Sequence, residues 1–264
     1  MNTVLFVHEL RQGFRSLLWW TLAIVGFIVM CIALFPQMAS QMDSVGEIFS
    51  SMGSFSEAFG MDKINFGTLI GFYSVECGNI LGLGGALFAA ILGAGIISKE
   101  ESGHTVEFLY THPLSRCSVL ASKLAAAFVQ ILLLNLVVFA ATLLSITAIG
   151  ESIPWKEIGL INLSFFLCQI EIAGICFGIS AFLNRSSLGV GIAVPLLFYF
   201  MNIAANIGDK VEFLKYITPY AYCEASEIVS RLTLDPTLLL IGLAMTVAGT
   251  AAAFVYYPSK DLKP

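Results

Sequence analysis

The sequence predicts an all-α membrane protein, built as a single domain of six transmembrane helices over residues 1–264. Apolar residues make up 58% of the 264-residue chain and charged residues only 12%, and the mean hydropathy is +0.87. The apolar residues fall into six long runs, and no proline-rich, glycine/serine-rich or charged linker separates folded units. A chain with so little polar surface cannot fold as a soluble domain, so we expect it to cross a bilayer repeatedly.

Each run approaches the roughly 20 residues that a helix needs to cross a hydrocarbon core about 30 Å thick. The predicted spans cover residues 16–35, 72–97, 124–149, 158–183, 188–207 and 237–257. Basic residues accumulate on the cytoplasmic side of membrane proteins. If both termini lie in the cytoplasm, eight basic residues lie inside and five outside, which favours this orientation. The eight are Arg11, Arg15, Lys99, Arg116, Lys123, Arg185, Lys260 and Lys263.

The segment before the first span is itself amphipathic. One side carries His8, Arg11, Gln12 and Arg15, and another side carries Phe6, Leu10 and Phe14. This pattern predicts an N-terminal helix that lies along the inner headgroups and is anchored by its arginines. The apolar run that follows is longer than the core of a signal peptide, so we expect it to be retained as a span.

The stretch from Ser98 to Lys123 is the only long polar interruption rich in charges of both signs. Helical spacing places Val106, Leu109 and Tyr110 on one face and His104, Glu107 and Thr111 on the other. Ser102 is a suitable N-cap, and Pro113 prevents the helix from continuing. A short helix held between two spans can transmit a push from outside the membrane, or it can simply lie in the headgroup layer. The pattern leaves both interpretations open.

Glu171 is the polar residue that the predicted spans explain least. It precedes Leu183 by 12 residues, about 18 Å along a helix, which places it near the bilayer midplane. An ionised carboxylate there costs at least a few kcal/mol, so we expect Glu171 to be neutral or paired. The candidate partners are Asn135, Gln169, Asn202 and Asn206. A structural hydrogen bond and a substrate or proton site are both compatible with this position.

The segment from Gly208 to Pro236 is longer than a hairpin requires and rich in aromatic residues. It is interrupted at Pro219, next to Tyr220, and suits half-buried helices. Irregular backbone can enter a membrane only where protein or a water-filled cavity satisfies its polar groups. An outer gate and an interfacial helix pair are both consistent with this composition.

The sequence contains no recognisable catalytic motif. The chain contains no P-loop, no HExxH and no GxSxG motif, and nothing indicates nucleic-acid binding. Three scattered histidines, His8, His104 and His112, do not predict a metal site. The six cysteines lie mostly in or beside spans, where they act as small apolar residues; a disulfide between Cys77 and Cys223 is one alternative.

One run of residues resembles a known family signature. The run consists of Thr105, Glu107, Phe108, Leu109, Thr111, Pro113, Leu114, Ser115, Arg116 and Lys123. It resembles the motif T-x-E-x-L-L-x-x-P-x-S-R-x(6)-K in the first cytoplasmic loop of ABC-2 type permeases. These permeases are the six-span membrane subunits of ABC exporters. Tyr110 replaces the usual leucine, and His104 separates Gly103 from Thr105. Residues 216–220 and 256–262 also resemble the segment before the family's last span and its short tail.

The resemblance implies the role of each peripheral segment. The N-terminal amphipathic helix would be the connecting helix, and residues 208–236 would form an outer re-entrant gate around Pro219 and Tyr220. A coupling helix would dock on a separate ATP-binding subunit through Gly103, Thr105, Val106, Glu107, Leu109, Tyr110, Pro113 and Arg116. Arg116 and Lys123 would anchor the third span at the inner headgroups.

The resemblance also implies a function for the assembly. Two permease subunits, identical or different, would work with two ATPase subunits in a bacterial or archaeal plasma membrane, surrounded by lipid. The chain would bind no cofactor, and ATP and Mg²⁺ would sit on the partner. The alternatives are an ion-coupled secondary transporter that uses Glu171, and a membrane enzyme, for which the spans offer few polar groups.

Overall fold

The computed structural model describes residues 1–39, 65, 67–106, 114–183 and 188–260. Within these ranges the chain is helical and contains no strand, and six helices are long and apolar enough to cross a membrane. These helices are α1 (Thr3–Ala39), α2 (Leu69–Ile96), α4 (Arg116–Ala148), α5 (Trp155–Phe182), α6 (Leu188–Ile207) and α8 (Pro236–Tyr256). The predicted all-α membrane fold with six spans is therefore confirmed.

Shorter helices connect the spans. Helix α3 (Lys99–Ser102) follows α2, and α7 (Ala225–Arg231) precedes α8. Single 3₁₀ segments cover Asp209–Tyr216, Ala221–Cys223 and Tyr257–Ser259.

The two termini lie at the same end of the bundle. The backbone N–H of Asn2 donates to Ser122 Oγ (2.8 Å), near the start of α4. Lys260 Nζ donates to the carbonyl oxygen of Leu183 (2.6 Å), just after the end of α5. We call this end the terminal face and the other end the opposite face. An even number of spans is required by this arrangement, and the assignment of the terminal face to the cytoplasm stays a prediction.

The N-terminal amphipathic segment differs from its prediction. Residues 2–15 do not form a separate helix, because α1 runs without interruption over 37 residues from Thr3 to Ala39. At 1.5 Å per residue this helix is about 55 Å long, which exceeds a 30 Å hydrocarbon core. Its first turns pack on α4 through the Asn2–Ser122 hydrogen bond instead of resting only on headgroups.

Helix α5 is the centre of the bundle, and small residues let its neighbours approach it closely. Along α2, a Cβ at Gly93 would lie 2.5 Å from the carbonyl oxygen of Ala173 in α5. On the side of α8, a Cβ at Gly178 would lie 2.5 Å from the carbonyl oxygen of Gly249. The Gly-x-x-x-Gly spacing at Gly174 and Gly178 therefore serves packing within the chain.

The six cysteines are free thiols, so the Cys77–Cys223 disulfide is wrong. The sulfur of Cys77 interacts with Cys31 of α1. Cys223 instead lies against α5, where its thiol donates to the carbonyl oxygen of Ser164 (3.3 Å).

Gly178→Ala tests the close approach of α5 and α8. The added methyl group would lie 2.5 Å from the Gly249 carbonyl oxygen, and backbone cannot move aside as a flexible side chain can. We expect a loss of about 1–3 kcal/mol of stability, typical of overpacking, visible as a lower thermal midpoint in detergent. Gly159→Ala is the matched control in the same helix, since nothing lies within 4 Å of its Cβ position. An unchanged midpoint for Gly178→Ala would contradict this packing.

Candidate functional site

A buried lysine joins three elements at the terminal face. Lys123, in the second turn of α4, is 1% exposed. Its ammonium donates to Glu9 Oε1 of α1 (2.7 Å), to Glu100 Oε1 of α3 (2.8 Å) and to the carbonyl oxygen of Ile96 at the end of α2 (2.8 Å). These contacts use all three donors of the ammonium group. Lys123 is therefore no headgroup anchor: its charge is held inside the protein.

A second lysine completes this network. Lys99 Nζ donates to Glu9 Oε2 and to Gln12 Oε1, so both oxygens of the Glu9 carboxylate bind a lysine. Glu9 is only 2% exposed. Two carboxylates, Glu9 and Glu100, balance two ammonium groups, Lys99 and Lys123, and we call these four residues the lysine network. Such pairing is what makes buried charges tolerable.

The electrostatics of the network follow from burial and pairing. Burial of the Glu100 carboxyl acts to raise its pKa, but the charge and hydrogen bond of Lys123 outweigh it, so the pKa lies below the ordinary 4.5. Burial lowers the pKa of Lys99, the charge of Lys123 lowers it further, and Glu9 opposes both. The two ammonium groups repel each other, and the carboxylates hold them together.

A parallel contact fixes the C-terminal end of the described chain. Lys260 is 6% exposed and pairs with Glu101 Oε1 of α3 (2.7 Å). Arg116 Nη1 donates to the carbonyl oxygens of Tyr257 (3.1 Å), Pro258 (3.1 Å) and Lys260 (2.6 Å). The sequence predicts that Arg116 binds lipid headgroups. In the structure it binds the segment after α8 instead.

The lysine network continues directly into the predicted coupling helix. Glu100 accepts from Lys123 with one carboxylate oxygen and from the hydroxyl of Thr105 (2.6 Å) with the other. Ser102 ends α3 and is not the N-cap of a longer helix. The backbone turns at Gly103, and His104 adopts a left-handed conformation (φ 53°).

Only part of the predicted docking face can be located. Val106 is helical and 4% exposed, so it packs on the chain itself and does not face a partner. Glu107, Leu109, Tyr110 and Pro113 lie outside the described residues. Their role in docking stays a prediction.

The intramembrane polar residues separate into two groups. Asn135 Nδ2 of α4 donates to Gln169 Oε1 (2.7 Å), and Gln169 Nε2 donates to the carbonyl oxygen of Leu81 in α2 (3.3 Å). Glu171 does not join them: two residues along a helix turn the side chain by about 200°, so it points away from Gln169. The predicted pairing of Glu171 with Asn135 or Gln169 is wrong for this geometric reason.

Glu171 instead faces α8. It is 0% exposed, and a Cβ at Gly242 would collide with its carboxyl group, so the glycine makes room for it. The hydroxyl of Thr246 donates to the carbonyl oxygen of Glu171 (3.2 Å), and the hydroxyl of Tyr222 interacts with the Glu171 carboxyl group. An ionised carboxylate at this depth is costly, so we expect a neutral acid here.

The segment between α6 and α7 enters the bundle from the opposite face. The hydroxyl of Thr218 donates to the carbonyl oxygen of Phe198 (2.9 Å), and Cys223 contacts Ser164. Phe198 and Ser164 are each nine residues from the helix end at that face, about 13 Å deep. Pro219 and Tyr220 are buried at this depth. This geometry is that of a re-entrant segment, and its role as a gate stays a prediction.

Sequence reasoning missed Glu9, which is central to the lysine network. The signal was its position: Glu9 lies four residues after Leu5 and eight before Leu17, on the stripe of α1 that the structure buries. The basic and aromatic residues around it are typical of a surface helix, so the buried stripe was not predicted.

Among the described residues no cluster of histidine, cysteine or acidic side chains could hold a metal ion.

Glu9→Gln is expected to destabilise the protein. The substitution keeps the shape of the side chain but removes the charge that both Lys99 and Lys123 contact. Leaving a buried ammonium undercompensated costs about 3–5 kcal/mol, so the thermal midpoint in detergent should fall clearly. Glu227→Gln is the control, since Glu227 is 43% exposed and its pair with Arg231 is long (3.7 Å). Equal midpoints for the two variants would refute the importance of the lysine network.

The lowered pKa of Glu100 predicts acid sensitivity. Above pH 4.5 the charged carboxylate stabilises the fold, and this contribution is lost as the pH falls from 4.5 through the lowered pKa. Glu100→Gln lacks this titration, so the difference in thermal midpoint between wild type and variant should shrink below pH 4.5. Glu151→Gln, at an exposed position, controls for general acid effects. A difference that stays constant with pH would contradict the pairing.

The chain is similar to a known family of transporter proteins and to a bacterial protein. A family model described as "ABC-2 family transporter protein" matches residues 3–262. The chain is also 31% identical over 180 residues to "Uncharacterized protein YhcI" of Bacillus subtilis (strain 168). That match covers 61% of this chain and 56% of YhcI.

Proposed function

Because the chain belongs to the ABC-2 family of transporter proteins, we propose that it forms the translocation pathway of an ATP-driven exporter and is driven by a separate ATP-binding subunit. A membrane subunit of this family is not itself catalytic, and the proposal places ATP and Mg²⁺ on the partner. Two such permease subunits, the same chain twice or this chain with another, would pair with two ATPase subunits. The terminal face would lie in the cytoplasm.

One observation supports this mechanism most. The Glu100 carboxylate contacts Thr105, at the start of the predicted coupling helix, and Lys123 of α4. Lys123 in turn contacts Glu9 of α1 and the end of α2. A displacement of the coupling helix would therefore reach the ends of three spans through short charged hydrogen bonds. Rigid-body movement of spans by such a push would change access to a pathway between the permeases.

The opposite face offers a complementary element. Tyr220 packs edge-on against Tyr199 of α6 (ring centroids 5.6 Å apart), and Tyr199 donates to Asn79 Oδ1 of α2 (3.1 Å). A movement of α2 or α6 would therefore displace the re-entrant segment. We propose that Pro219 and Tyr220 form the outer gate.

The first experiment is copurification from native membranes in mild detergent, followed by an ATPase assay. The intact chain should bring a stoichiometric P-loop ATPase, and Glu107→Arg/Leu109→Asp should lose it, because the change reverses the charge and polarity of the docking face. Glu212→Arg/Phe213→Asp is the matched control at the opposite face, where these side chains are 64% and 59% exposed. The control should retain the ATPase.

A second candidate function rests on Glu171. A fully buried carboxyl group that interacts with the Tyr222 hydroxyl, and with no cationic side chain among the described residues, is suited to bind and release a proton or cation. If no ATPase accompanies the intact chain, the exporter proposal fails. Glu171→Gln should then abolish transport driven by an ion gradient. In an ATP-driven exporter the same substitution, nearly equal in shape, should leave transport close to wild type.

A further inference from the structure

A cleft of about 310 Å³ opens at the terminal face beside the lysine network. Helix α1 forms one wall with Gln12, Gly13 and Ser16, and the last turns of α2 form the other. From Ile96 to Phe88 the cleft follows eight residues of α2, about 12 Å along the axis. Its volume lies at the small end of the range for small-molecule sites.

The cleft is polar at its mouth and apolar along its length. Lys99, Gln12 and Glu9 surround the mouth, whereas Phe88, Ile91 and Leu92 line the inner part. Lys99 remains 26% exposed. Its ammonium has three donors, of which Glu9 and Gln12 use two, so among the described residues one donor is left for a ligand. Gln12 accepts through its oxygen and keeps its amide N–H groups as further donors.

A buried acceptor without a partner lies in the same cleft. Gln130 of α4 is 1% exposed, and its Oε1 has no hydrogen-bond partner among the described residues. The amide occupies the space where a Cβ of residue 13 would be, so Gly13 makes room for it. An unpaired buried carbonyl of this kind is destabilising, because it has lost its hydrogen bonds to water and gained none from the protein. A hydroxyl or amine donor placed in the cleft would remove that cost.

We propose that this cleft binds a single-chain or lipid-like amphiphile, whose head carries an acidic group beside a hydroxyl or amine donor and whose tail is apolar. The acidic group binds Lys99 and Gln12, the donor binds Gln130 Oε1, and the tail lies along Phe88 and Leu92. A bilayer lipid and a transported amphiphile share this chemistry. The proposal does not depend on the ATP-driven mechanism, because binding requires only the chain itself.

The test is native mass spectrometry of the full chain in a neutral detergent, titrated with defined probes. Lysophosphatidylglycerol carries an acid, hydroxyls and a tail, hexadecylphosphocholine carries a phosphate and a tail but no hydroxyl or amine donor, and glycerol phosphate lacks the tail. Lysophosphatidylglycerol should bind about tenfold more tightly than hexadecylphosphocholine, the factor expected for one hydrogen bond to a buried acceptor. Glycerol phosphate should bind far more weakly than either lipid.

Variants assign the binding to this cleft. Gln130→Leu removes the acceptor and Leu92→Trp fills the apolar part, and each should weaken lysophosphatidylglycerol binding about tenfold. Leu133→Trp is the control, since Leu133 lies on α4 like Gln130, is outside the cleft and is 44% exposed. Gln12→Ala, at an exposed position that cannot disturb the core, should weaken binding severalfold even if a buried variant fails to fold.

Three results would overturn the proposal: equal affinities for the two lipids, undiminished binding by Gln130→Leu, Leu92→Trp and Gln12→Ala, or glycerol phosphate binding as tightly as the lipid.

Lipid extraction then identifies whether the bound amphiphile is a bilayer lipid or a transported molecule. An amphiphile that copurifies from native membranes and stays bound during ATP hydrolysis is a bilayer lipid. A probe that leaves the chain only when ATP is hydrolysed by a bound partner is a transported amphiphile. Both results require an occupied cleft and support it.

Discussion

The arrangement of the terminal face depends on one ammonium group, that of Lys123. A buried charge costs several kcal/mol unless it is fully paired, and Lys123 finds its partners on α1, α2 and α3. Those three elements are therefore fixed relative to α4 by short, directional contacts. Apolar packing alone would leave the helices freer to slide, because hydrocarbon contacts lack direction and lipid competes for them.

The central helix α5 separates polar groups that are neighbours in sequence. Gln169 faces α2 and α4, where it completes a chain of hydrogen bonds, whereas Glu171 faces α8. One side of α5 is thus joined to α2 and α4 by the hydrogen bonds of the Gln169 amide. The other side packs through small residues against a helix that is otherwise mostly exposed. Helix α8 packs on α5 mainly by shape, with a hydrogen bond from the Thr246 hydroxyl to the Glu171 carbonyl oxygen.

The two ends of the bundle handle polar groups differently. At the terminal face, charges pair with each other and with backbone carbonyls, and the cleft beside Lys99 leaves a donor and an acceptor unused. At the opposite face, the hydroxyl of Thr218 and the thiol of Cys223, in the segment that enters the bundle, donate to backbone carbonyl oxygens of α6 and α5. Ion pairs of this kind transmit force over short distances, whereas the uncharged stretch from Ile217 to Cys223 can rearrange without exposing charge to lipid.

The sequence by itself determined the class of fold, the number of spans and their approximate limits, because long apolar runs allow no other solution in water or lipid. It also located the polar stretch before α4 and the buried position of Glu171, since helix rise converts residue number into depth. The partners of these residues were decided only by tertiary structure. Glu9 and Lys123 are 114 residues apart in the chain, and helical periodicity reports which face a residue occupies, not which helix lies opposite. The same limitation explains why Glu171 faces Gly242 and not Gln169: side-chain direction follows from rotation about the helix, but the neighbour in that direction is chosen by packing.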